Sequence, residues 1–376
     1  MRILQLTSDW KWTGPAEPML RLALGEQARG HELWIGCPEP PAGADRSVGA
    51  EALALGLEPA LWLPRGRGVR PLADRSAVAG LRHFVARHEI GVIHAWHTRD
   101  HVLALRAAGR PGRAGRPAVV RSYRLAERIP DRPWNRWLFG RRTDGLLCVS
   151  PRTADLNRGL RSGRPIAGAF GAVDTQRFQP GIASAELRSE LGLAPGDRVV
   201  GIVARAQPHR RFDLLLEAAR RLAGRDPHFQ LLVIGRGTRR RELAEEPARA
   251  LGIADRVHFA GYRKGDYDQV LRSLDLFTFL VPGSDGTCRA LLEAAACGIP
   301  AVTTRRGALD EIVVDGETGI LVDEDPEALA AAWQTLLQDE DRRRALGAQA
   351  RKRAEQCFTP DRLAEGALAL YEEALG

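Results

Sequence analysis

Short apolar segments alternate along the chain with longer segments in which apolar residues recur at helical spacing. The apolar segments of the first half are RILQLT, HELWIG, IGVIHA, PAVVR and GLLCVS, and those of the second half are RVVGIVA, FQLLVIG, RVHFAG, LDLFTFL and IPAVTT. Strands that alternate with helices of about ten to fifteen residues are typical of right-handed βαβ units, whose strands run parallel. The pattern therefore predicts an α/β protein built on doubly wound parallel sheets.

The alternation is interrupted at GAFGAVDTQRFQPG, residues 168–181. Glycine, proline and aspartate are concentrated there, as in a linker between domains. A length of 376 residues is enough for one α/β domain on each side of this linker. Ligands of such sheets bind beyond the carboxyl ends of the strands, so a cleft between two facing domains is the expected site.

Composition narrows the class of protein. The five cysteines are scattered and form no CxxC pair, which argues against a disulfide framework or a zinc ribbon and suits a reducing cytosol. The first residues, MRILQLTSDW, are typical of a strand and not of a signal peptide, and no apolar run reaches the roughly 18 residues of a membrane span. We therefore expect a cytoplasmic protein, with peripheral attachment to the inner face of the plasma membrane as an alternative.

Positive charge is concentrated in the first half of the chain. Residues 1–178 contain 28 Lys+Arg against 16 Asp+Glu, a balance of +12, and the remainder contains 27 against 31, or −4. All but three of the 55 basic residues are arginines, for which a GC-rich genome is a simple explanation. The uneven distribution is more informative than the total, because it favours an anionic partner for the first half.

The segment PGSDGTCRALLEAAACGIP, residues 282–300, sets a cluster of turn residues before an apolar helix. Amide groups at a helix N-terminus favour a phosphate or sugar hydroxyls, and Gly286 would let a ligand approach the backbone. Asp285 by itself could be a helix N-cap. Glu293 needs another explanation, because a charge among alanines is costly to bury without partners, whereas a carboxylate there can accept a pair of vicinal hydroxyls.

Together with GALDEIVVDGETGILVDEDPEALAAA downstream, this segment resembles the donor site of glycosyltransferase family 4. Members of that family are retaining enzymes with the GT-B fold, two Rossmann-like domains, and their signature is two glutamates separated by seven residues. Here Asp285, one methylene shorter, takes the first position and Glu293 the second. The resemblance implies that Glu293 binds the ribose of a nucleotide sugar. It also implies that Asp285 faces the sugar hydroxyls and the diphosphate, with the amides of Gly286, Thr287, Cys288 and Arg289.

Three weaker matches follow the order of the family's motifs. ARAQPHRRFDLLLEA is similar to a segment that carries an arginine and a lysine, so Arg205 and Arg210 are implied to neutralise the diphosphate leaving group. WTGPAEPMLRLALGEQARGHEL is similar to a glycine-rich loop in which Gly14 would approach the donor phosphate or the acceptor. VHFAGYR is similar to the strand whose end contacts the nucleotide base, near Gly261 and Tyr262.

The resemblance covers nearly the whole chain and implies a division into parts. Residues 1–175 are expected to bind the acceptor, residues 176–355 to bind the nucleotide sugar, and residues 356–376 to form a helix that returns to the first domain. The implied mechanism is same-face attack by the acceptor, and no close carboxylate pair for a covalent intermediate is evident. Because arginines would hold the diphosphate, we expect no metal and no cofactor besides the nucleotide-diphosphate sugar, with a UDP-sugar as the expected co-substrate.

The acceptor is expected to contact segments that follow strands of the first domain. In IHAWHTRDH a histidine or an aspartate could orient the acceptor hydroxyl, with zinc binding and simple packing as alternatives. Many members of the family carry a cleft histidine after the next strand. Here Arg124 of VVRSYR takes that place, and an arginine can grip a phosphate but cannot act as a base. We predict acceptor contacts by His94, His97, Asp100, His101, Arg121 and Arg124, and catalytic roles for His97, Asp285, Arg205 and Arg210.

The segment RPWNRWLFGRR, residues 132–142, interleaves aromatic residues with arginines. Such a segment suits the headgroup zone of an anionic membrane, although a core-packed helix with exposed arginines explains it at least as simply. With the basic first half of the chain, it favours an anionic acceptor. A phosphorylated glycan or a lipid-linked sugar of the cell envelope, such as a lipopolysaccharide core, is the expected class.

Two other functions stay open on the sequence alone. A nucleotide-sugar-modifying enzyme such as an epimerase would use the same site, and a pI near 9.7 would suit a nucleic-acid-binding protein. No helix-turn-helix, RNA-binding sheet motif or zinc finger is evident, so nucleic acid is not an expected partner. IGRG at 234–237 is a poor nicotinamide fingerprint, because it lacks the third glycine at the required spacing.

Overall fold

A computed structural model describes residues 1–12, 16–44, 46–66, 68–70, 72–110, 115–161, 163–283 and 285–376. The chain divides into two compact units. We call Met1–Ala172 with Pro360–Gly376 the N-terminal unit and Val173–Thr359 the C-terminal unit. Among the described residues, no helix is long and apolar enough to cross a membrane.

In the N-terminal unit the described residues form a parallel sheet in the order β3-β2-β1-β4-β5-β6-β7. Its strands are β1 (Arg2–Leu6), β2 (Glu32–Pro38), β3 (Pro59–Leu63), β4 (Val92–Ala95), β5 (Ala118–Tyr123), β6 (Gly145–Cys148) and β7 (Ile166–Gly168). The helices are α1 (Ala16–Ala28), α2 (Val48–Ala54), α3 (Arg75–Arg87), α4 (Thr98–Ala108), α5 (Pro133–Asn135), which continues into a π-helix (Arg136–Arg142), and α6 (Pro151–Arg161).

Helices cover both faces of this sheet, as alternation along its strands shows. Ile3 of β1 packs into the cluster formed with α1, whereas Leu4 and Leu6 pack into the cluster formed with α3 and α4. Successive side chains of a strand point to opposite faces, so both faces must be buried for neighbouring positions to be apolar. The continuous apolar strands in the sequence follow from this arrangement.

In the C-terminal unit a second parallel sheet has the order β10-β9-β8-β11-β12-β13 in the described part of the chain. Its strands are β8 (Arg198–Val203), β9 (Phe229–Ile234), β10 (Val257–Gly261), β11 (Leu276–Phe279), β12 (Ala301–Thr303) and β13 (Gly319–Leu321). The helices are α7 (Ala185–Glu190), α8 (Phe212–Ala223), α9 (Glu246–Ala250), α10 (Tyr267–Leu271), α11 (Arg289–Ala296), α12 (Leu309–Ile312), α13 (Pro326–Gln338) and α14 (Glu340–Cys357), with 3₁₀ turns at Pro208–Arg210 and Ala254–Arg256 and a π-helix at Arg241–Glu245.

The last helix, α15 (Pro360–Leu375), belongs to the N-terminal unit and packs on α1. Gly25 makes this contact possible, because a Cβ at that position would lie 2.5 Å from the carbonyl oxygen of Pro360. The units therefore meet in sequence at 172/173 and 359/360, compared with 175/176 and 355/356 in the prediction. The amide of Val173 donates to the carbonyl of Phe358 at 2.8 Å, so the first residue of the C-terminal unit is hydrogen-bonded close to the end of that unit.

Candidate functional site

Two arginines follow β8 at the carboxyl edge of the C-terminal sheet. Arg205 is exposed, and Arg210 is half-buried. Nη1 of Arg210 donates to the carbonyl of Val281 at 2.6 Å, while its Nε is buried without a hydrogen-bond partner among the described residues. Burial lowers the pKa of Arg210, and the charge of Arg205 lowers it further. A half-buried guanidinium with a second cation near it forms a site for an anion.

The loop that carries Arg210 is held by a network of three further side chains. Arg211 adopts the left-handed conformation, with φ of 56°, immediately before α8. Its guanidinium binds Glu324, which also accepts a hydrogen bond from Nη2 of Arg306 at 2.7 Å. Since a left-handed arginine is strained, these ion pairs help to hold the turn that orients Arg210. No local pattern in the sequence indicates this network, because its members come from three separate loops.

Asp285 organises the turn before α11. Its Oδ1 accepts hydrogen bonds from the amide of Thr287 at 3.1 Å and from its hydroxyl at 2.9 Å. Cys288 is left-handed with φ of 50°, and α11 begins at Arg289. The thiol of Cys288 is buried and donates to the carbonyl of Gly286 at 3.4 Å. Any ligand contact from Cys288 must therefore come from its backbone, because its side chain is not accessible.

Glu293 is buried in α11, with 4% of its surface exposed, and its carboxylate has polar partners. Oε2 accepts a hydrogen bond from the hydroxyl of Tyr267 at 2.8 Å, and Oε1 lies 3.2 Å from Nε of Arg289. Burial raises the pKa of Tyr267 well above its usual value, and the nearby carboxylate of Glu293 raises it further. Glu293 is thus not packed into hydrocarbon, and the ribose contact implied by the resemblance stays a prediction.

Glycines bring the loops after β8, β9 and β10 close together. The amide of Gly235 donates to the carbonyl of Gly261 at 2.8 Å. A Cβ at Gly235 would lie 2.5 Å from the carbonyl oxygen of Ala204. The guanidinium of Arg236 lies 4.1 Å from the ring centre of Tyr262, which is 47% exposed. The glycines of IGRG therefore allow close backbone packing between these loops, beside the predicted contact with the nucleotide base. Gly14, predicted for the first domain, lies outside the described residues.

The structure corrects the predicted acceptor roles of two histidines in the N-terminal unit. Nδ1 of His94 lies 2.5 Å from the hydroxyl of Tyr371, and its Nε2 lies 2.8 Å from the hydroxyl of Ser122. Nε2 of His101 lies 2.8 Å from the hydroxyl of Thr143. Both histidines are fully buried. Burial lowers the pKa of His94 to about 3 and that of His101 well below its usual value, so both are neutral packing residues.

Asp100 also has an internal role in place of the predicted acceptor contact. Its carboxylate accepts hydrogen bonds from the amides of Trp96 at 2.6 Å and His97 at 2.9 Å, and from the hydroxyl of Ser8 at 2.9 Å. Together with His97 it forms the capping box of α4. Because these donors occupy a fully buried carboxylate, Asp100 fixes the β4–α4 turn and is not available to a hydroxyl of an acceptor.

Three predicted acceptor residues remain at the carboxyl edge of the N-terminal sheet. The ring of His97 is partly exposed, and its Nδ1 lies 3.1 Å from the hydroxyl of Thr7. Arg121 donates to the carbonyl of Ala95 at 3.3 Å, and its Nε is buried without a hydrogen-bond partner in the described chain. Burial lowers the pKa of Arg121 to about 10. The guanidinium of Arg124 lies 5.2 Å from the centre of the Trp96 ring.

A buried polar network connects α15 to this edge, and sequence analysis did not find it. Both carboxylate oxygens of Glu26 accept hydrogen bonds from Nε2 of Gln5 at 2.9 Å, and the hydroxyl of Tyr371 donates to Oε1 at 2.8 Å. The indole of Trp96 donates to Oε1 of Gln5 at 2.7 Å. Its participants are ordinary polar residues spread from position 5 to position 371, so no local pattern could reveal them.

Among the described residues, no group of three or more His, Cys, Asp or Glu side chains could hold a metal ion. Geometry disfavours the zinc alternative for IHAWHTRDH, because both ring nitrogens of His94 and Nε2 of His101 already lie beside hydroxyl groups in the core. The remaining geometry is a pair of cationic sites, one on each unit, at the carboxyl edge of its sheet. Such sites can bind phosphate groups and stabilise negative charge that develops on them.

Comparison with known proteins identifies relatives of both units. The family model named Glycosyltransferase Family 4 matches residues 14–177, and the model named Glycosyl transferases group 1 matches residues 183–353. A D-inositol 3-phosphate glycosyltransferase of Rhodococcus opacus is 34% identical over 321 residues, which are 79% of this chain and 71% of the relative. Its counterpart in Rhodococcus jostii is 38% identical over 211 residues, 54% of this chain, and the match spans about half, 46%, of that relative.

Another relative and two solved structures agree with this result. The lipopolysaccharide core biosynthesis mannosyltransferase LpsB of Rhizobium meliloti is 32% identical over 251 residues, 64% of this chain and 69% of the relative. Crystal structures of Anabaena HepE with UDP and with UDP-glucose match the fold with TM-scores of 0.79 and 0.76. Each is 19% identical in sequence and covers 99% of this chain and 100% of the HepE chain.

Proposed function

Because this chain belongs to glycosyltransferase family 4 and has the GT-B fold, we propose that it transfers a sugar from a nucleoside diphosphate sugar to an anionic acceptor, with retention of anomeric configuration. A UDP-sugar is the proposed donor, in agreement with the UDP and UDP-glucose in the HepE crystals. The proposed acceptor is a phosphorylated glycan or lipid-linked sugar of the cell envelope, made in the cytoplasm. The relatives named for inositol 3-phosphate and for lipopolysaccharide core support that class.

The arginine pair of the C-terminal unit is the observation that carries this proposal. Arg205 and Arg210 are neighbouring cations, and within the described ranges no carboxylate forms an ion pair with Arg210. A diphosphate would supply the missing negative charge and would accept a hydrogen bond from the buried Nε of Arg210. As the bond between sugar and diphosphate breaks, charge grows on the leaving group, so cations placed there lower the barrier.

The turn before α11 supplies the remaining donor contacts of the proposal. Asp285 holds the turn by accepting a hydrogen bond from the amide of Thr287, and the amides of Gly286, Cys288 and Arg289 would face the diphosphate at the start of α11. Asp285 would face the sugar hydroxyls, and Glu293 would accept the ribose hydroxyls. Gly283 gives room for Arg210 at this turn, because a methyl group there would lie 2.4 Å from its Nη2.

The proposed chemistry is a same-face substitution without a covalent enzyme intermediate. The acceptor oxygen forms a bond to the anomeric carbon as the bond from that carbon to the diphosphate breaks, and the acceptor proton passes to the departing phosphate oxygen. Because the arginines neutralise the diphosphate, no metal ion is required. His97, held by Thr7 and kept neutral because burial lowers its pKa, would orient the acceptor hydroxyl.

The acceptor site of the proposal lies on the N-terminal unit. Arg121 lies within β5 and Arg124 directly follows it, and both are buried cations next to His97. Burial is the main cause of the lowered pKa of Arg121. The Asp100 carboxylate raises this pKa, and the charge of Arg124 lowers it by repulsion. An acceptor phosphate would relieve this repulsion, which is why a phosphorylated acceptor is preferred to a neutral one.

The proposal is tested by incubating the full chain, in EDTA, with UDP-glucose, UDP-galactose or GDP-mannose and with inositol 3-phosphate or a phosphorylated lipopolysaccharide core fragment. We expect nucleoside diphosphate release that depends on the acceptor, and an α-configured product by the proton coupling at its anomeric centre. A β-configured product would contradict retention. Formation of an isomerised nucleotide sugar without an acceptor product would support the epimerase instead.

A further inference from the structure

Two tryptophans stand side by side on the surface of the N-terminal unit, and neither is needed by the proposed reaction. Trp134 is 58% exposed and Trp137 is 39% exposed. Their ring centres are 4.8 Å apart, with 32° between the planes. Trp96 and Trp333 of the same chain are buried. Large apolar rings on a surface are costly to hydrate, and a contiguous pair of them marks a contact surface more often than chance.

Contacts of the π-helix with the rest of the N-terminal unit hold the two tryptophans at the surface. Leu138 directly follows Trp137, and its side chain is buried in the core. The carbonyl of Leu138 accepts a hydrogen bond from the hydroxyl of Thr143 at 2.7 Å. Gly140 lets the π-helix touch α6, because a Cβ there would lie 2.6 Å from the carbonyl oxygen of Leu160. The alternative interpretation of this segment, a helix packed into the core, therefore holds for Leu138 but not for the two tryptophans.

The base of the π-helix is further anchored by a buried arginine. Arg161 is fully buried and donates hydrogen bonds to the carbonyls of Phe139, Thr143 at 3.0 Å and Asp144 at 2.8 Å. One guanidinium thus binds a carbonyl within the π-helix and two carbonyls directly after it, which ties this helix to α6. Their exposure is thus built into the local structure.

Positive charge surrounds the tryptophan pair. Exposed arginines outnumber acidic residues here, and one of the two acidic residues, Asp131, is already bound by Arg136 through two hydrogen bonds of 2.5 and 2.7 Å. The guanidinium of Arg142 lies 5.4 Å from the centre of the Trp137 ring. Between residues 127 and 142, the exposed arginines are Arg128, Arg132, Arg136 and Arg141, and the exposed acidic residues are Glu127 and Asp131.

We propose that this tryptophan surface, formed by Trp134 and Trp137 with Arg128, Arg132 and Arg141, docks the protein on an anionic phospholipid bilayer. The indole rings enter the headgroup zone, where an amphipathic ring is stable, and the arginines bind lipid phosphates. Charge decides between a membrane and a second copy of the chain, because two copies would face each other with the same positive sign. Vesicle binding needs no sugar transfer, so its failure would leave the proposed transferase activity untouched.

Co-sedimentation of the full chain with large unilamellar vesicles tests the proposal. Vesicles of phosphatidylcholine with about one third phosphatidylglycerol are compared with pure phosphatidylcholine at low and at high salt. We expect binding to the anionic vesicles at low salt and roughly fivefold weaker partitioning for each of Arg132→Gln and Arg141→Gln. The double variant W134A/W137A should lose at least about tenfold. Quenching of tryptophan fluorescence by lipids brominated on the acyl chain should fall in W134F/W137F.

Matched controls come from the opposite part of the same sheet. Trp62 on the edge strand β3 is 50% exposed, and Arg87 at the end of α3 is exposed. Trp62→Ala and Arg87→Gln should leave vesicle binding unchanged, and thermal unfolding confirms that every variant is folded. Absence of binding to anionic vesicles at low salt overturns the proposal. So does binding that the tryptophan variants do not weaken, or a dimer in light scattering that W134A/W137A dissociates.

Discussion

The two regions predicted to carry chemistry, the arginine pair Arg205 and Arg210 and the histidine segment His94 to His101, have opposite environments. Both lie around the carboxyl ends of parallel strands, where open sheets bind ligands. In the histidine segment, hydroxyl groups at 2.5 to 2.8 Å occupy the ring nitrogens of His94, and one occupies Nε2 of His101. Nε of Arg210 and Nδ1 of His101 are both buried without a hydrogen-bond partner in the described residues, but burial keeps the His101 ring neutral whereas the Arg210 guanidinium is a cation.

The difference shows that a titratable residue near a strand end is a candidate ligand residue if it keeps a charge that the fold does not pair. The His94 ring stabilises the sheet and α15, because its two neighbours reach it from β5 and from the last helix. The Arg210 guanidinium is half-buried, its pKa is lowered mainly by burial, and within the described residues no carboxylate pairs with it. The two regions should therefore respond differently to mutation, one in stability and the other in binding.

The largest expected effect is on the arginine pair. Arg205→Ala or Arg210→Ala should lower kcat/KM for the donor by roughly 10²- to 10³-fold, because each removes a group that stabilises the leaving diphosphate. Steady-state release of nucleoside diphosphate measures this effect. Arg220→Ala on α8 is the matched control, since Arg220 is exposed and paired with Glu217 within its own helix. A similar loss in the control would remove the distinction between the two kinds of arginine.

The next effect concerns the buried network of Gln5, Glu26, Trp96 and Tyr371, which should make the free energy of unfolding depend on pH. Burial raises the pKa of Glu26 from 4.5 to about 7, so the folded chain keeps a proton that the unfolded chain releases in that window. The contribution of this group to the free energy of unfolding should fall by about 3 kcal/mol as the pH rises from 4.5 to 7. Glu26→Gln removes the group that titrates.

Urea unfolding of both proteins between pH 5 and pH 8 measures this difference. The neutral buried histidines act in the opposite direction, because their lowered pKa values cost stability as the pH falls below about 6.5. That effect is common to wild type and variant and cancels when they are compared. If the two unfolding free energies change in parallel with pH, Glu26 does not carry a raised pKa.

Tyr371→Phe should reduce stability without affecting the donor site. The hydroxyl of Tyr371 serves both His94 and Glu26, and its loss leaves buried polar atoms without a partner, at a cost of about 1–3 kcal/mol. We expect a lower unfolding midpoint with an unchanged affinity for UDP, measured by calorimetry on the folded variant. A large loss of UDP affinity would show that the two regions are coupled.

Gly283→Ala should have the smallest effect, and it should act on binding alone. The new methyl group would displace the flexible end of Arg210, whose Nη2 lies 2.4 Å from the built position. We expect roughly tenfold weaker UDP binding with little change in stability, since a side chain and not the backbone has to move. Gly265→Ala, with no heavy atom within 4 Å of its Cβ, is the control. Equal UDP affinities in the two variants would argue against a role for Arg210.

The sequence predicts the two α/β units and the positions of Arg205 and Arg210 because these depend on local patterns. Each arginine follows a strand whose apolar run is unambiguous, and its place in the family motif is fixed by spacing. The histidine segment was misjudged for a local reason as well. His94 belongs to β4 itself and His101 to the second turn of α4, so only His97 lies in the connecting turn.

Other parts of the site depend on contacts between distant segments. Glu324 meets Arg211 and Arg306 only after β8, β12 and β13 have assembled into one sheet. In the same way, Tyr371 reaches Glu26 because α15 packs on α1. The family resemblance implies that the last helix returns to the first domain, but the sequence contains no sign of which side chains it meets there. Burial of a polar group is a property of the assembled fold, and periodicity alone cannot distinguish it from exposure in a turn.

Calorimetric titration of the full chain with UDP, UMP and uridine, in a buffer containing EDTA, tests most directly whether the arginine pair binds a diphosphate. We predict that UDP binds without a divalent cation, that uridine binds at least about a hundredfold more weakly, and that the preference largely disappears in the variant R205A/R210A. Equal affinities of UDP and uridine for the wild-type protein, or a strict requirement for a divalent cation, would contradict the account.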